Sequence, residues 1–410
     1  MGKWKDMELG EAIDFNPPET IKKGVAAKKI PMEKVIEFQR KISGFEVSPY
    51  SGGPKFRNGD TLLAKITPCL ENGKTAQVDI LEENEVAFGS TEFIVLRSNE
   101  HTIKDFVFYL AKSPVFRKKA ISCMEGTSGR KRVNDKVLKL QVLPIPDIST
   151  QQKIAAVLSA LDAKIELNQR INAELESMAK TLYDYWFVQF DFPNEKGKPY
   201  KSAGGKMVWN EKLGKEIPEG WDVKLLGKAL KTNLGGTPST KNPEYWENAT
   251  IPWLNSGDLT EFPIIKSSSF VTKKGVDNSA TTILPKGSVV VSLVRYIRPS
   301  IIALEACANQ SVVGIRETEA LKNAFIYPYL VNEVPRLMSL RTGAQQPHIN
   351  KETIDDSPLC TPPANVLKEY YKVGEPIYKK IINVAFESQT LTELRDWLLP
   401  MLMNGQVRVS

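Results

Sequence analysis

A framework of residues near the beginning of this chain returns about two hundred positions later, and any fold must accommodate both copies. Trp4, Leu9 and Gly10 recur as Trp221, Leu226 and Gly227, each moved by 217 positions. Toward the far end of each copy, Asn134, Leu143, Pro146, Lys164, Ile165, Leu175 and Leu182 recur as Asn350, Leu359, Pro362, Lys380, Ile381, Leu391 and Leu398, each moved by 216. The middles diverge. Gly-Asp-Thr-Leu-Leu-Ala-Lys at 59–65 matches Gly-Ser-Val-Val-Val-Ser-Leu at 287–293 only as a pattern. A common frame with different middles predicts two pseudo-symmetric binding units with two specificities. Two large copies are too few for a solenoid, which stacks several short units.

Composition sets the outer limits. A chain of 410 residues should hold two or more domains. With 41% hydrophobic and 25% charged residues it can bury ordinary cores. No apolar run approaches the ~18 residues of a membrane span. The opening Met-Gly-Lys-Trp-Lys-Asp has no apolar stretch for secretion, and Asp6 stands where myristoylation requires a hydroxyl. Cys69, Cys123, Cys307 and Cys360 are scattered, so we expect free thiols in a reducing cytoplasm. A net charge of +7 permits a polyanion partner without requiring one.

Residues 1–148 predict a mixed α/β domain. Short β-branched or aromatic runs at 61–66, 85–88 and 92–96 are separated by Gly, Pro and Asn turns. A helix is expected from Asp105 to Ile121, broken at Pro114. The second copy, 221–363, repeats this order with strands near 289–294 and 311–315 and a helix near 325–340. Residues 191–220, rich in Gly, Pro and Lys, predict an extended connector.

Two helices complete the α/β (α+β) reading. The first spans 149–190, capped by Ser149 or Thr150 and free of Gly and Pro until Pro193. Ile154, Leu158, Leu161, Ile165, Leu175 and Leu182 mark a heptad seam once Asn168, Asn172 and Ala179 are counted. The second, within 364–410, carries the matching seam through Tyr370, Ile377, Ile381, Val384, Leu391 and Leu398. Two such helices should pack on each other. Either orientation is topologically open, and the repeat favours an antiparallel coiled coil. Asn168 and Asn172 interrupt the seam: either the helix turns so that Ile171 points inward, or the polar residues fix register at some cost in stability.

The central block resembles a known family. Trp186-Phe187-Val188, Phe190-Asp191-Phe192-Pro193, Gly197-Lys198-Pro199-Tyr200, Met207-Val208-Trp209 and Ile217-Pro218-Glu219-Gly220-Trp221 are similar to the central region of Type I restriction-modification specificity subunits. So is Gln151-Gln152-Lys153-Ile154 through Ile165, the opening of that family's first spacer helix. Gly235-Gly236-Thr237-Pro238-Ser239, Tyr245-Trp246, Ile251-Pro252-Trp253 and Gly257-Asp258-Leu259 resemble the start of one of its target-recognition domains. The resemblance implies that each domain reads half of a split site in double-stranded DNA. The helices would space the halves and dock two methyltransferase subunits, with or without a restriction/motor subunit. S-adenosylmethionine, ATP and Mg would belong to those partners, leaving no cofactor in this chain. Thirty-odd helical residues reach ~50 Å, enough for sites one duplex turn of ~34–36 Å apart.

Candidate contacts follow from chemistry. Glu125-Gly126-Thr127-Ser128-Gly129-Arg130-Lys131-Arg132-Val133-Asn134 sets Arg130, Lys131 and Arg132 on a Gly-rich turn suited to phosphate or a guanine edge. A solvated charge run is the alternative. At the matching position of the second copy, Arg341, Gln345, Gln346 and His348 occupy another glycine loop, and glutamine amides can pair with adenine. Asn134 and Asn350, shared by both loops, are expected to cap helices. Lys55, Arg57, Lys65, Lys74, Lys241, Arg295 and Arg298 are further phosphate candidates. Tyr50, Tyr245, Trp253 and Tyr296 could touch DNA, although aromatics beside Pro and Gly more often pack locally.

Catalysis finds little support in these residues. Asn16-Pro17-Pro18 resembles an amino-methyltransferase motif, but Glu19 replaces its aromatic residue and no Gly-rich cofactor turn accompanies it. His101 and His348 lack neighbours for a zinc site, and no phosphate-binding Gly-x-x-x-x-Gly-Lys-Ser/Thr loop occurs. The expectation is a non-catalytic DNA-specificity subunit. Its rivals are a methyltransferase or fused endonuclease with drifted motifs, and a coiled-coil scaffold without a nucleic-acid role.

Overall fold

The computed structural model describes residues 4–127 and 129–409. It divides into two compact units, one built from Met1–Glu166 with Gln389–Ser410 and the other from Leu167–Ser388. The split runs through both long helices, so each unit owns one part of each helix and not only its sheets.

The first unit is closed by its own ends. Strand Trp4–Glu8 pairs antiparallel with Val142–Pro146, setting Trp4 opposite Pro146. Leu9, fully buried, donates its N–H to the Gln141 carbonyl at 2.9 Å. Gly10 recurs for a steric reason: a Cβ there would lie 3.0 Å from the Lys139 Cβ, where helix Leu9–Ala12 crosses Asp135–Lys139. Inside is an antiparallel sheet ordered Ile13–Phe15, Phe93–Ser98, Thr61–Ala64, Thr75–Gln77. Helix Lys104–Lys112 buries Phe106, Tyr109 and Leu110 in the same unit. Pro114 opens a second helix, Pro114–Ser122, where its missing N–H costs nothing, and Ser113 caps it by accepting from the Phe116 N–H. A smaller sheet ordered Glu46–Pro49, Ala26–Ile30, Ala87–Gly89, Lys55–Phe56 carries its own core around Phe56, Leu62 and Val95.

The second unit repeats the plan. Asp222–Leu225 pairs with Pro358–Thr361. Leu226 donates to the Ser357 carbonyl at 2.9 Å. A Cβ on Gly227 would meet that of Asp355 at 2.7 Å. The sheet runs Thr232–Leu234, Val312–Ile315, Val289–Ser292, Pro299–Ile301, the same order by repeat position. A smaller sheet ordered Ser269–Val271, Ile251–Leu254, Cys307–Ala308 accompanies it, and both smaller sheets contain a parallel step, Lys29 beside Phe88 in one and Trp253 beside Cys307 in the other.

Residues 191–220 are not the extended connector expected. Asn194 Oδ1 accepts from the N–H groups of Lys196 and Lys198, and Asp191 holds Ser202 through both carboxylate oxygens. Met207–Asn210 then pairs with Lys215–Pro218 as a hairpin. Side chains that bond their own backbone turn a Pro- and Gly-rich stretch into compact turns. The aromatic residues at its two ends serve as core: Trp221 packs against Phe190 and Phe192 with ring centroids 5.3 and 5.2 Å apart.

The long helices are Ile148–Tyr183 and Ala364–Met403. Asp147, rather than Ser149 or Thr150, caps the first by accepting from the Thr150 N–H at 2.8 Å. That helix widens into a π turn over Asp184–Val188, well short of Pro193, as Trp186 and Phe187 enter the aromatic core. In the first unit Asp162 meets Arg395 at 2.9 Å. In the second, Asn168 donates to Glu387 at 3.0 Å, Asn172 to the Ile381 carbonyl at 3.2 Å, and Phe187 meets Tyr370 with centroids 4.7 Å apart. Within that unit, numbers rise on one helix as they fall on the other, so the pair is antiparallel.

The seam differs from the expected one. Ile154, Leu158, Ile165, Ile381 and Val384 are buried, as anticipated. Leu161, Leu175, Leu182, Ile377, Leu391 and Leu398 are only half-buried. Beside four of these, the inward positions belong to Asp162, Tyr183, Tyr378 and Leu399. The apolar arc is wider than a single seam, and side chains able to fill or hydrogen-bond across the interface take its centre. Asn168 is completely buried while Ile171 is half-buried, so the helix does not rotate to bring Ile171 inward.

Candidate nucleic-acid interface

Both units mount their variable loop on the same joint. In the first, strand Thr61–Ala64 continues to Lys65, whose carbonyl accepts from the Val133 N–H at 2.8 Å. Ile66 bridges Arg132, and the Thr67 N–H reaches the Lys131 carbonyl at 3.0 Å. In the second, the Leu293 carbonyl accepts from Ile349 at 3.0 Å, Val294 bridges His348, and Arg295 N–H reaches the Pro347 carbonyl at 2.8 Å. Every partner in the second joint stands at the repeat position of its counterpart. Strand end and loop therefore form one rim in each unit.

The first rim is cationic. Met124–Glu125 pairs with Arg132–Val133, leaving a hairpin loop in which Ser128 lies outside the described residues. Gly126 and Gly129 take φ of 117° and 82°, open to glycine at little cost. Arg130 and Lys131 are exposed. Arg132 is not free: its guanidinium makes three bonds of 2.8–3.0 Å to Glu92. The Arg132 hydrogen bond holds the Glu92 carboxyl below its ordinary range, against the opposing effect of burial. Asn134 Oδ1 accepts from the N–H groups of Lys136 and Val137, and Asn350 Oδ1 from that of Thr353, so both asparagines are caps.

The second rim mixes amides with cations. Thr342 and His348 exchange two backbone hydrogen bonds of 2.9 Å and so close the loop between them. Gln345, Gln346 and His348 are exposed, with His348 Nδ1 at 3.1 Å from the Gln346 carbonyl. Arg295, at the tip of the neighbouring hairpin, is tied to this loop through its backbone, and next to it Tyr296 is 60% exposed with the Arg298 guanidinium 5.0 Å from its ring centre. Arg341 is a clamp: it bonds the Met338 carbonyl at 3.0 Å and also that of Arg295.

Other candidates lie apart or are committed elsewhere. Lys55 sits in the smaller sheet, 5.2 Å over the Tyr50 ring. Arg57 is exposed near Glu19, and Lys241 is exposed in the turn before Pro243–Tyr245. Lys74 is half-buried with its amine on the Met32 carbonyl at 3.2 Å, so it does not present a free charge to phosphate. Trp253 and Trp246 pack edge to face and donate to the carbonyls of Gly236 and Ser239. Asn16 spends its amide oxygen on the Val95 N–H, and Glu19 pairs with Arg97 at 2.8 Å. Sequence reasoning missed Glu92, distant from Arg132 in the chain, and Tyr296, expected to pack locally, is instead exposed.

Two sheet units with matching mounts and unlike polar rims define a duplicated recognition protein. The chain belongs to the family of the Type I restriction modification DNA specificity domain, whose pattern matches residues 1–177 and 218–392. It is 28% identical to the Type I restriction enzyme MjaIX specificity subunit of Methanocaldococcus jannaschii over 75% of this chain and 70% of that one. It is 26% identical to the HindI specificity subunit of Haemophilus influenzae across 99% of this chain and all of that one. A crystal structure of a Type I system S subunit from M. genitalium shares the fold, with a TM-score of 0.58 at 15% identity over 98% of this chain and 96% of the other. Among the described residues no helix is long and apolar enough to cross a membrane, and no group of His, Cys, Asp and Glu could hold a metal ion.

Proposed function

We propose that this chain selects the DNA sequence for a Type I restriction-modification assembly in the cytoplasm. Each rim reads one half of a bipartite, asymmetric site, the helices set the gap, and the chemistry resides on partners. The observation that carries this reading is the shared joint with different side chains on it: Arg130 and Lys131 on one rim, Gln345, Gln346, Arg295 and Arg298 on the other. Arginine pairs with guanine edges and glutamine with adenine, so unlike rims suit unlike half-sites. S-adenosylmethionine, ATP and Mg are assigned to the partner subunits.

Two modification subunits are supported by a second repeated feature. In the second unit, Met178, Thr181, Leu182, Tyr185, Val373 and Ile377 line an open groove on the helices. Their repeat positions in the first unit are Leu394, Trp397, Leu398, Met401, Val157 and Leu161. Met178, Val373, Leu394 and Trp397 are 56%, 49%, 41% and 56% exposed. Exposed apolar surface at equivalent positions suits two copies of one partner.

Sequencing the methylated bases of a host with and without this gene tests the whole reading. A split, asymmetric motif that disappears with the gene is expected. Methyl transfer by the purified chain alone, given labelled methyl donor and DNA, would instead make it an enzyme.

A further inference from the structure

The tip of the second unit's hairpin has a rigid backbone and a free aromatic ring. Arg295 takes a left-handed φ of 62°, uncommon for a side chain of its size. Its N–H is bound by Pro347 and its carbonyl by Arg341. Tyr296 donates its N–H to the Val294 carbonyl at 2.8 Å, and its own carbonyl accepts from the Ser292 hydroxyl. Ser292 also takes the Arg298 N–H at 3.0 Å through its hydroxyl and donates its own N–H to the Arg298 carbonyl at 3.1 Å. A turn fixed at so many backbone groups has little freedom left to lose on binding. Yet Tyr296 stays 60% exposed, with Arg298 stacked on it and Arg295 beside it.

In the chain the ring is flanked by Arg295 and by Ile297, which is buried while Tyr296 is not. Here nothing covers more than part of it, and the adjoining cations suit the phosphates on either side of a base step. The equivalent position in the first unit is Pro68, which follows Thr67 where the second unit has Arg295. At this position the second unit presents a ring and the first does not.

We propose that Tyr296 enters the base stack at the second half-site, as an aromatic wedge, with Arg295 and Arg298 on the flanking phosphates. Inserted side chains partly unstack a base step, and stacking on a base tolerates any base but needs a π face. Tyr296 would then discriminate by how readily a step opens, while Gln345 and Gln346 read edges. This rests on the DNA-recognition reading above.

The test uses the chain co-purified with its modification subunits and a duplex bearing the site found by methylation sequencing. 2-Aminopurine is placed in turn along the second half-site. We expect its fluorescence to rise at one step on binding. Tyr296→Ala should abolish that rise and weaken binding about 5- to 150-fold, the range expected for removing one base stack. Tyr296→Phe should retain both, because the wedge does not use the hydroxyl. If Tyr296→Ala behaves as the unaltered assembly, the inference is overturned. Equal losses for Phe and Ala would replace it with a hydroxyl contact to a base edge, and loss of a modification subunit with Tyr296→Ala would replace it with a protein contact. An unaltered assembly that ignores the duplex would defeat the recognition reading itself.

Discussion

Lys112 is the residue whose surroundings are least typical of its kind. It is 6% exposed, its amine has no hydrogen-bond partner, and it lies 5.9 Å from the Phe108 ring centre. Burial first, and then the Arg395 cation, pull its pKa down to about 8; Asp162 and Asp396 pull the other way, and Arg40 adds to the lowering. In the unfolded chain the amine would titrate at its ordinary value of 10.5. Above that value both states are neutral and no penalty exists. As pH falls from 10.5 to 8 the unfolded state is protonated first, so stability declines, by on the order of 3 kcal/mol. Lys112→Met should therefore be more stable than the parent at pH 7.5, with the difference closing between pH 8 and 10.5. Paired denaturant melts measure it, and a difference independent of pH would show that the buried charge of Lys112 is not its cause.

The cations of the first rim divide by what they touch. Arg130 and Lys131 are exposed, whereas Arg132 is tied to Glu92. Changing Arg130 and Lys131 together to Ala should flatten the salt dependence of DNA binding by about one log–log unit for each phosphate they neutralise. Arg132→Ala alone should leave that slope in place. The reverse ranking, by binding titrations at several salt concentrations, would show that the ion pair opens to meet DNA. From sequence the three were one basic run. Only the fold brings Glu92 beneath the third.

Along the helices, one buried ion pair sets the stakes. Arg395 and Asp162 are each 8% exposed at the side chain, and Asp162 also accepts from the Tyr109 hydroxyl at 2.7 Å. Tyr109 in turn accepts from Arg40, which bonds Asp105 and Gln77. Removing one partner leaves the other charge buried, so Arg395→Met should cost about 3–5 kcal/mol. Asp162→Leu combined with Arg395→Met should recover much of that loss. A double variant no better than the single would mean the pair acts through the wider network instead. The internal repeat pointed to the antiparallel pairing of these helices, and the heptad pattern located them, because burial of an apolar arc repeats every turn. It misplaced the seam by one residue at Leu161, Leu182, Ile377 and Leu398, because periodicity cannot see that Asp162 has Arg395 opposite it.

For the molecule as a whole, the parts legible in sequence were those fixed by backbone geometry common to both copies. The recurrence of Trp4, Gly10 and Pro146 marked positions both units need, the asparagines were read as caps, and only the fold shows that the first and last strands pair and that the glycines let short helices cross. The smaller sheets and the rim contacts were hidden, since their partners are far apart in the chain and differ between copies. The division is that of a shared mount carrying interchangeable readers. In each unit the first and last strands lie side by side, so a domain can be exchanged at adjacent ends.

Replacing residues 221–363 with a second copy of residues 4–147 tests this most directly. The chimera, assembled with its modification subunits, should methylate an inverted repeat of the first half-site, as symmetric readers do on palindromic DNA. Methylation sequencing reads the outcome. A folded chimera that still modified the original asymmetric site would instead place specificity outside the exchanged unit.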